Sequence, residues 1–274
     1  MDTSFSLGLG RVRFNLALPE QLSISIGDVP LRLHISERSL HERARERYAQ
    51  FLDNAPEALP IFLNAADADR RRVTDQERHE NRFTYTWEKS SLRLEERNAQ
   101  FDGVRHEYGL DSLIRILLSV LLAPQRGFLL HAATVLREGR AYVFTGKSGA
   151  GKSTVASLSP AGSVLTDEIS LLKFVEGAWH AFGTPFWGEF RAEGANVHAP
   201  IAGLYFLKQD PDDRVETISA REALRAMLPN VLFFSQDRQM TESLLRLLAE
   251  FVNAVPCHRL LFRKDSHFWS VVTA

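Results

Sequence analysis

Cysteine is the scarcest informative residue in this 274-residue sequence: it occurs once, as Cys257. One cysteine excludes a disulfide framework and a metal site built from several cysteines, and we interpret Cys257 as a small buried apolar side chain. Long apolar runs are also missing, since no stretch approaches the about 18 consecutive apolar residues of a membrane-spanning helix. The N-terminal sequence lacks the basic and apolar regions of a secretory signal. We therefore expect a cytoplasmic protein.

An excess of charge of either sign is missing as well. The 33 Lys and Arg against 34 Asp and Glu leave a net charge of −1, which gives no general attraction to nucleic acid or to a membrane. We interpret the basic cluster RRR (residues 70–72) as a solvated loop rather than a nucleic-acid site. A hydrophobic content of 45% is typical of a globular protein. The sequence thus predicts neither a nucleic-acid nor a membrane partner, and it leaves a homo-oligomer open.

The chain divides into two segments with different patterns. Residues 1–110 are strand-rich, because short alternating runs such as QLSISI, PLRLHIS and RFTYTWEKSSLRLEE are separated by turn formers. Between them, ERSLHERARERYAQFLDN predicts a charged, mostly solvated helix. Residues 111–274 open with DSLIRILLSVLLAP, which predicts a buried helix that ends at Pro124. We predict an α/β (α+β) protein with a strand-rich N-terminal segment of unknown role (1–110) and a catalytic domain (111–274).

The strongest motif is GKSGAGKST (residues 146–154), which fits the phosphate-loop pattern G-x-x-x-x-G-K-[ST] between a strand-like run and a helix-like run. Glycines let backbone N–H groups surround a phosphate, the helix N-terminus adds its dipole, and Lys152 adds a positive charge. The alternative is a glycine-rich turn that leads into a helix. The residues predicted to bind nucleotide are Gly146, Lys147, Ser148, Gly149, Ala150, Gly151, Lys152, Ser153 and Thr154.

Two adjacent acids, Asp167 and Glu168, follow the motif within SVLTDEISLLKF, which we interpret as one strand. Phosphoryl transfer needs acids for two tasks, to hold Mg²⁺ and to accept the proton of an attacking hydroxyl. Adjacent residues of a strand point to opposite sides, so the two acids could divide these tasks. The alternative is a solvated loop after a strand.

A histidine and a later loop complete the candidate site. His131 lies on a strand predicted to form a hairpin with the strand that enters the glycine-rich motif, with the turn at Glu138-Gly139. Near the motif its imidazole could polarise a phosphate or tune an acid; the alternative is a core histidine. In GTPFWGEF (residues 183–190), Glu189 could be a metal ligand, with Arg191 near a phosphate, and a tight aromatic turn is the alternative.

Together these residues resemble the catalytic domain of HPr kinase/phosphorylase and its relatives, whose fold is similar to the phosphoenolpyruvate carboxykinase core. The resemblance covers about residues 111–270. LLHAATVL-x-x-GRAYVFTGKSGAGKST looks like the family's histidine strand, turn, second strand and phosphate loop, and VLTDE falls at its acidic pair. GTPFWGE looks like the acidic loop of the HPr-kinase-like group, which includes kinases associated with peptide-modification clusters.

The resemblance implies a P-loop kinase core that uses ATP and Mg²⁺. It implies that Lys152 binds the phosphates, that His131 is an active-site residue, and that the second acid exchanges the substrate proton. That acid is Glu168 here, where HPr kinase has Asp, so Asp167 is the alternative base. The implied metal ligands are Ser153, Asp167 and Glu189.

The predicted function is an ATP-dependent kinase that acts on a hydroxyl of a protein, a peptide or a small molecule. The HPr-binding signature of the family is not evident after the acidic pair, which argues against HPr itself as the substrate. The alternatives are a nucleotide-binding regulatory module with little turnover, and a phosphorylase or phosphatase that runs the reverse reaction.

Overall fold

The computed structural model describes residues 20–64, 78–79, 82–87, 90–95, 97–188 and 194–273. The basic cluster at residues 70–72, the proposed metal ligand Glu189 and Arg191 lie outside the described residues, so the predictions made for them stay predictions. Across the described ranges, no helix is long and apolar enough to cross a bilayer.

The first sheet is built from the N-terminal segment. Its strands follow the order β1-β2-β3-β7-β6-β5-β4 and mix parallel and antiparallel pairs. The β1–β2 hairpin turns at Gly27 and Asp28, both at φ 60°, which suits a tight two-residue turn. The strands are β1 (Glu20–Ile26), β2 (Val29–Ile35), β3 (Leu59–Asn64), β4 (Arg78–His79), β5 (Arg82–Trp87), β6 (Ser90–Leu94) and β7 (Ala99–Asp102).

Two helices, α1 (Arg38–Arg47) and α2 (Glu107–Leu121), contribute to the core of this sheet. The prediction of a mostly solvated α1 holds for one face only, because Leu40 and Ala44 are buried with the charged Arg47. α2 is buried as predicted, but it begins at Glu107 rather than at residue 111. The side chain of His106 caps its N-terminus by accepting a hydrogen bond from Gly109 N at 3.0 Å. The same core includes Leu171 of the second sheet.

The second sheet carries the predicted motifs. It follows the order β10-β8-β11-β12-β13-β16-β14, with β15 on β8 and β9 between β8 and β13. Both sheets and their helices make the described chain a mixed α/β protein. The strands are β8 (Gly127–Arg137), β9 (Arg140–Thr145), β10 (Val164–Thr166), β11 (Ile169–Val175), β12 (Ala178–Phe182), β13 (His198–Gln209), β14 (Arg214–Thr217), β15 (Val231–Leu232) and β16 (Cys257–Phe262).

Four further helices pack against the second sheet: α3 (Lys152–Ser157), α4 (Ala220–Met227), α5 (Arg238–Ala254) and α6 (Phe268–Val272). α4 and α5 bury residues such as Met227 and Phe251 in one core, and α6 buries Phe268 in another beside the glycine-rich motif. α6 follows β16, the last strand of the second sheet in chain order.

The two halves of β8 pair with different strands, and the candidate site lies where the halves meet. Residues 127–131 of β8 pair with β11, and residues 132–137 pair with β9. The predicted β8–β9 hairpin is confirmed, with its turn at Glu138 (φ 51°) and Gly139 (φ 73°). Ala132 pairs with Thr145, the residue before the glycine-rich motif, and His131 pairs with Ile169, the residue after the acids. One short stretch of β8 thus aligns the histidine, the motif and the acids.

The prediction that SVLTDEISLLKF is a single strand is wrong. The chain leaves β10 at Thr166, bends through Asp167 and Glu168, and enters β11 at Ile169. The Thr166 hydroxyl donates to Ile169 O at 3.1 Å and closes the bend. Such a side-chain bond to the backbone competes with regular strand geometry. The acids therefore lie at a corner between two strands rather than on opposite faces of one.

Candidate functional site

The glycine-rich loop (residues 146–151) joins β9 to α3 in a conformation that needs glycine. Gly149 (φ 77°) and Gly151 (φ 113°) have left-handed backbones, which side chains rarely adopt. A Cβ on Gly151 would lie 2.6 Å from Phe262 Cζ, so there is also no space for one. Lys152 Nζ donates to Gly146 O at 3.1 Å across the loop. The loop is therefore shaped by its own residues and by the end of β16.

A cavity of about 470 Å³ opens between this loop and the corner that carries the acids. It brings together most of the predicted site residues: His131, Ser148, Gly149, Gly151, Lys152, Ser153, Thr154, Asp167 and Glu168. Three predicted residues do not line it. Gly146 and Ala150 contact each other inside the loop, and the side chain of Lys147 is exposed outside the cavity.

The two acids have different surroundings. Asp167 is 3% exposed, and its Oδ1 accepts a hydrogen bond from Gly188 N at 2.9 Å. The Glu168 side chain is 32% exposed, and its Oε2 pairs with Arg115 Nη2 at 3.1 Å. A Cβ on Gly188 would lie 3.2 Å from Glu168 Cβ, so Gly188 passes close to both acids. Asp167 is fixed by backbone, whereas Glu168 is held by a side chain and faces the opening.

Two basic side chains among the predicted site residues, His131 and Lys152, have a lowered pKa. Burial lowers the pKa of His131, and the positive charges of Lys152 and Arg115 lower it further. Burial also lowers the pKa of Lys152, although the negative Glu168 opposes this shift. The imidazole is therefore neutral at neutral pH and can accept a proton.

Three residues that the sequence did not single out also belong to the site. Gln209 Nε2 donates to Gly149 O at 2.9 Å and, like Lys264, lines the cavity. Arg115 reaches Glu168 from α2. A charged residue within the apolar run LIRILL of α2 was a usable signal for Arg115, because long charged side chains are rarely buried without a partner. Lys264 had no local signal.

The segment that carries Lys264 is held by one buried carboxylate. Asp213, whose side chain is 2% exposed, accepts hydrogen bonds from Arg263 N at 2.8 Å and pairs with His267 Nδ1 at 3.0 Å. These contacts lie on both sides of Lys264 in the sequence. The lysine therefore extends to the cavity from an anchored turn rather than from a free loop.

A protein-family model matches the C-terminal part of the chain. Residues 109–274 match the family model described as "ScmC: SynChlorMet cassette protein ScmC", and no curated protein matches the chain. The matched residues include β8, the glycine-rich loop, the acids and the segment of Lys264. Because the match covers more than half of the sequence, the protein belongs to the ScmC family of SynChlorMet cassette proteins.

Proposed function

We propose that this protein is an ATP-dependent kinase, with a P-loop core of the HPr kinase type, that transfers a γ-phosphate to a hydroxyl of a protein, a peptide or a small molecule. One observation carries the proposal: a single cavity holds the glycine-rich loop with Lys152, the neutral His131 and the two acids. A protein that only binds nucleotide needs the first of these features but not the proton acceptors.

The residues of the cavity fit the phosphates of ATP. The loop offers backbone N–H groups in left-handed glycine geometry, which is a typical anion-binding arrangement. α3 has only six residues, so we assign the main attraction to these amides and to the ammonium of Lys152. Breaking its contact with Gly146 O would free Lys152 to bind a phosphate oxygen.

The donor set also fits Mg²⁺. Within the described ranges no three His, Cys, Asp or Glu side chains form a metal-binding group. Mg²⁺ in nucleotide sites is usually held by one or two carboxylates with phosphate and water, so Asp167 and the Ser153 hydroxyl suffice. Glu189 remains a further proposed ligand. When bound, Mg²⁺ would neutralise charge on the phosphates.

The surroundings of the acids favour a division of tasks. Asp167 is buried and held by Gly188 N, which suits a group that must keep one position. Glu168 is more exposed, so a hydroxyl entering the cavity can reach it, and we assign it the role of proton acceptor. His131 lies at the same corner and can hold a proton or bind a phosphate oxygen.

Binding and cleavage of ATP test the proposal directly. We expect calorimetry to detect Mg-ATP binding and a single-turnover assay to detect slow phosphate release, because water can replace the unknown acceptor. Candidate hydroxyl peptides and small molecules should then compete with water as labelled products. Tight binding without any phosphate release or transfer would support a regulatory module instead, and no binding would refute the nucleotide site.

His131→Ala should reduce the turnover of ATP by about tenfold to a hundredfold, a typical effect of a lost proton-transfer group. The melting temperature should fall only modestly, because His131 is partly exposed in the cavity. His34→Ala, on the first sheet and outside the cavity, is the matched control. A variant that is destabilised by about 1–3 kcal/mol but turns over normally once folded would make His131 a core residue.

Lys264→Ala should weaken Mg-ATP binding by about twofold to fivefold, the range for a solvent-exposed charge pair. The reason is that Lys264 faces the cavity that the phosphates would enter. Salt screens exposed charges, so the difference from the wild type should shrink near 0.5 M salt, where the screening length is about 4 Å. Lys208→Ala, an exposed lysine of β13 outside the cavity, is the control, and equal losses in both variants would contradict a specific contact.

A further inference from the structure

The loop between β12 and β13 controls the position of both acids. We call residues 184–188 the aromatic loop, since it contains Phe186 and Trp187. Its last residue, Gly188, donates to Asp167 Oδ1 at 2.9 Å. The same glycine lies against Glu168, where a Cβ would come within 3.2 Å of Glu168 Cβ. Any shift of the aromatic loop therefore moves the surroundings of both carboxylates.

Arg115 of α2 contacts this loop and one of the acids at once. Its Nη2 donates to Glu168 Oε2 at 3.1 Å, and its guanidinium carbon lies 4.9 Å from the ring centre of Phe186. A guanidinium can pair with a carboxylate in its plane and with an aromatic ring over its face, which an ammonium does less well. Arg115 thus fixes the distance between the loop and Glu168.

Arg47 of α1 holds the same loop from the N-terminal segment. Its guanidinium carbon lies 3.8 Å from the ring centre of Trp187, and its Nη2 is paired with Asp111 of α2. Tyr48 Oη donates to the other oxygen of Asp111 at 2.6 Å. Asp111 and Arg115 are four residues apart in α2, so they share one face of the helix. This face joins the N-terminal segment to the acids.

The buried Arg47 contributes little to the stability of the fold. Its side chain is 3% exposed, and its Nε and Nη1 have no hydrogen-bond partner among the described residues. A buried ion pair with unsatisfied donors stabilises a fold poorly, and apolar packing of similar volume usually does as well. What the arginine adds is a fixed orientation of Trp187, through the face of its ring.

We propose that Arg47 and Arg115 are positioning residues, which hold the aromatic loop and through it the acid pair in the geometry that phosphoryl transfer requires. The proposal rests on the kinase function given above. It makes the N-terminal segment part of the catalytic unit, because Arg47 and Tyr48 belong to that segment. Displacement of reacting groups by about 1 Å can cost about a hundredfold in rate, so the effect should appear in turnover and not in nucleotide binding.

Trp187 and Arg115 offer variants that spare the buried ion pair. Trp187→Leu removes the ring under Arg47, whereas Trp187→Phe keeps an aromatic face. Arg115→Gln removes the charge, whereas Arg115→Lys keeps it. Arg43→Gln is the matched control, because Arg43 also joins α1 to α2 but does so through Glu107 Oε2 at 2.9 Å rather than through the aromatic loop.

The test measures Mg-ATP affinity by calorimetry, phosphate release in a single turnover, and the pKa of His131 by NMR. Trp187→Leu and Arg115→Gln should lower the rate by about tenfold or more with affinity within about threefold. Trp187→Phe and Arg43→Gln should stay near the wild-type rate. Because the charge of Arg115 lowers the pKa of His131, Arg115→Gln should raise that pKa and Arg115→Lys should leave it low.

The outcomes of this test distinguish a failure of the positioning role from a failure of the kinase function. If the wild-type protein cleaves ATP and Trp187→Leu and Arg115→Gln cleave it at the same rate, the positioning role is overturned and the kinase function stays intact. If these two variants lose ATP affinity and melting temperature together with rate, Trp187 and Arg115 are packing residues, and the positioning role is overturned as well. A wild-type protein that binds no Mg-ATP would overturn the kinase function, and the positioning role with it.

Discussion

Lys152→Ala should weaken Mg-ATP binding by about 2–4 kcal/mol, or about 30-fold to 1,000-fold, the range for removal of one charged partner of a desolvated pair. Lys152 is 7% exposed, and its ammonium lies across the glycine-rich loop. The charge of Lys152 is thus largely buried, so solvent screens it little, and isothermal calorimetry on the folded variant measures the loss. Turnover should fall further, because charge on the transferred phosphoryl group is then less well stabilised.

The control for this experiment is Lys208→Ala, which removes an exposed lysine from the neighbouring strand β13. It should bind Mg-ATP as the wild type does. Lys152→Arg is informative in addition. Arginine keeps the positive charge but has a longer side chain than the lysine whose ammonium now contacts Gly146 O. Unchanged Mg-ATP affinity in a folded Lys152→Ala protein would show that the glycine-rich loop is not the nucleotide site.

Local patterns predicted the elements that deliver the site. The apolar runs GFLLHAATVL and AYVFT, with the turn at Glu138-Gly139 between them, predicted the β8–β9 hairpin, and the apolar spacing in DSLIRILLSV predicted α2. These predictions succeeded because each depends on neighbours in the sequence. The family match covers residues 109–274 and so includes the candidate site residues, whereas the resemblance to HPr kinase stays a prediction.

The break at the acids could not be predicted in the same way. β-prone residues continue on both sides of Asp167 and Glu168, so local propensity favours one strand. The bend arises because β10 and β11 pair with different parts of β8, and Thr184 reinforces it by donating to Ile169 O at 2.6 Å. Both causes are contacts between residues distant in the sequence. The pattern thus identified the two acids and not their arrangement.

The partners of the acids were hidden for the same reason. Arg115 is 53 positions from Glu168 in the sequence, and Gly188 is 21 positions from Asp167. The sequence of α2 did not indicate which partners its charged residues have. The exposed cation Lys264 is placed by Asp213, on another turn. Spacing therefore predicts candidate residues for the chemistry, whereas the residues that contact and position these candidates become visible only in three dimensions.

Asp167→Asn and Glu168→Gln should each lower phosphoryl transfer by about a hundredfold or more, yet keep Mg-ATP affinity within about tenfold. Both changes keep the shape of the side chain and remove its charge. We expect a common loss of rate because the proposed function has each acid act on the reacting groups, and intact binding because it assigns the phosphates to the loop and Lys152. Single-turnover kinetics and calorimetry on the same preparations measure the two quantities.

The two variants should differ in their response to metal. Asp167→Asn weakens a proposed ligand of Mg²⁺, so high Mg²⁺ or Mn²⁺ should restore part of its activity. Glu168→Gln cannot accept a proton at any metal concentration, so it should not recover. Glu176→Gln, at the exposed turn after the far end of β11, is the control for the loss of one carboxylate. Rescue of Glu168→Gln alone would exchange the two roles, and full activity in both variants would leave the nucleotide as a regulatory ligand.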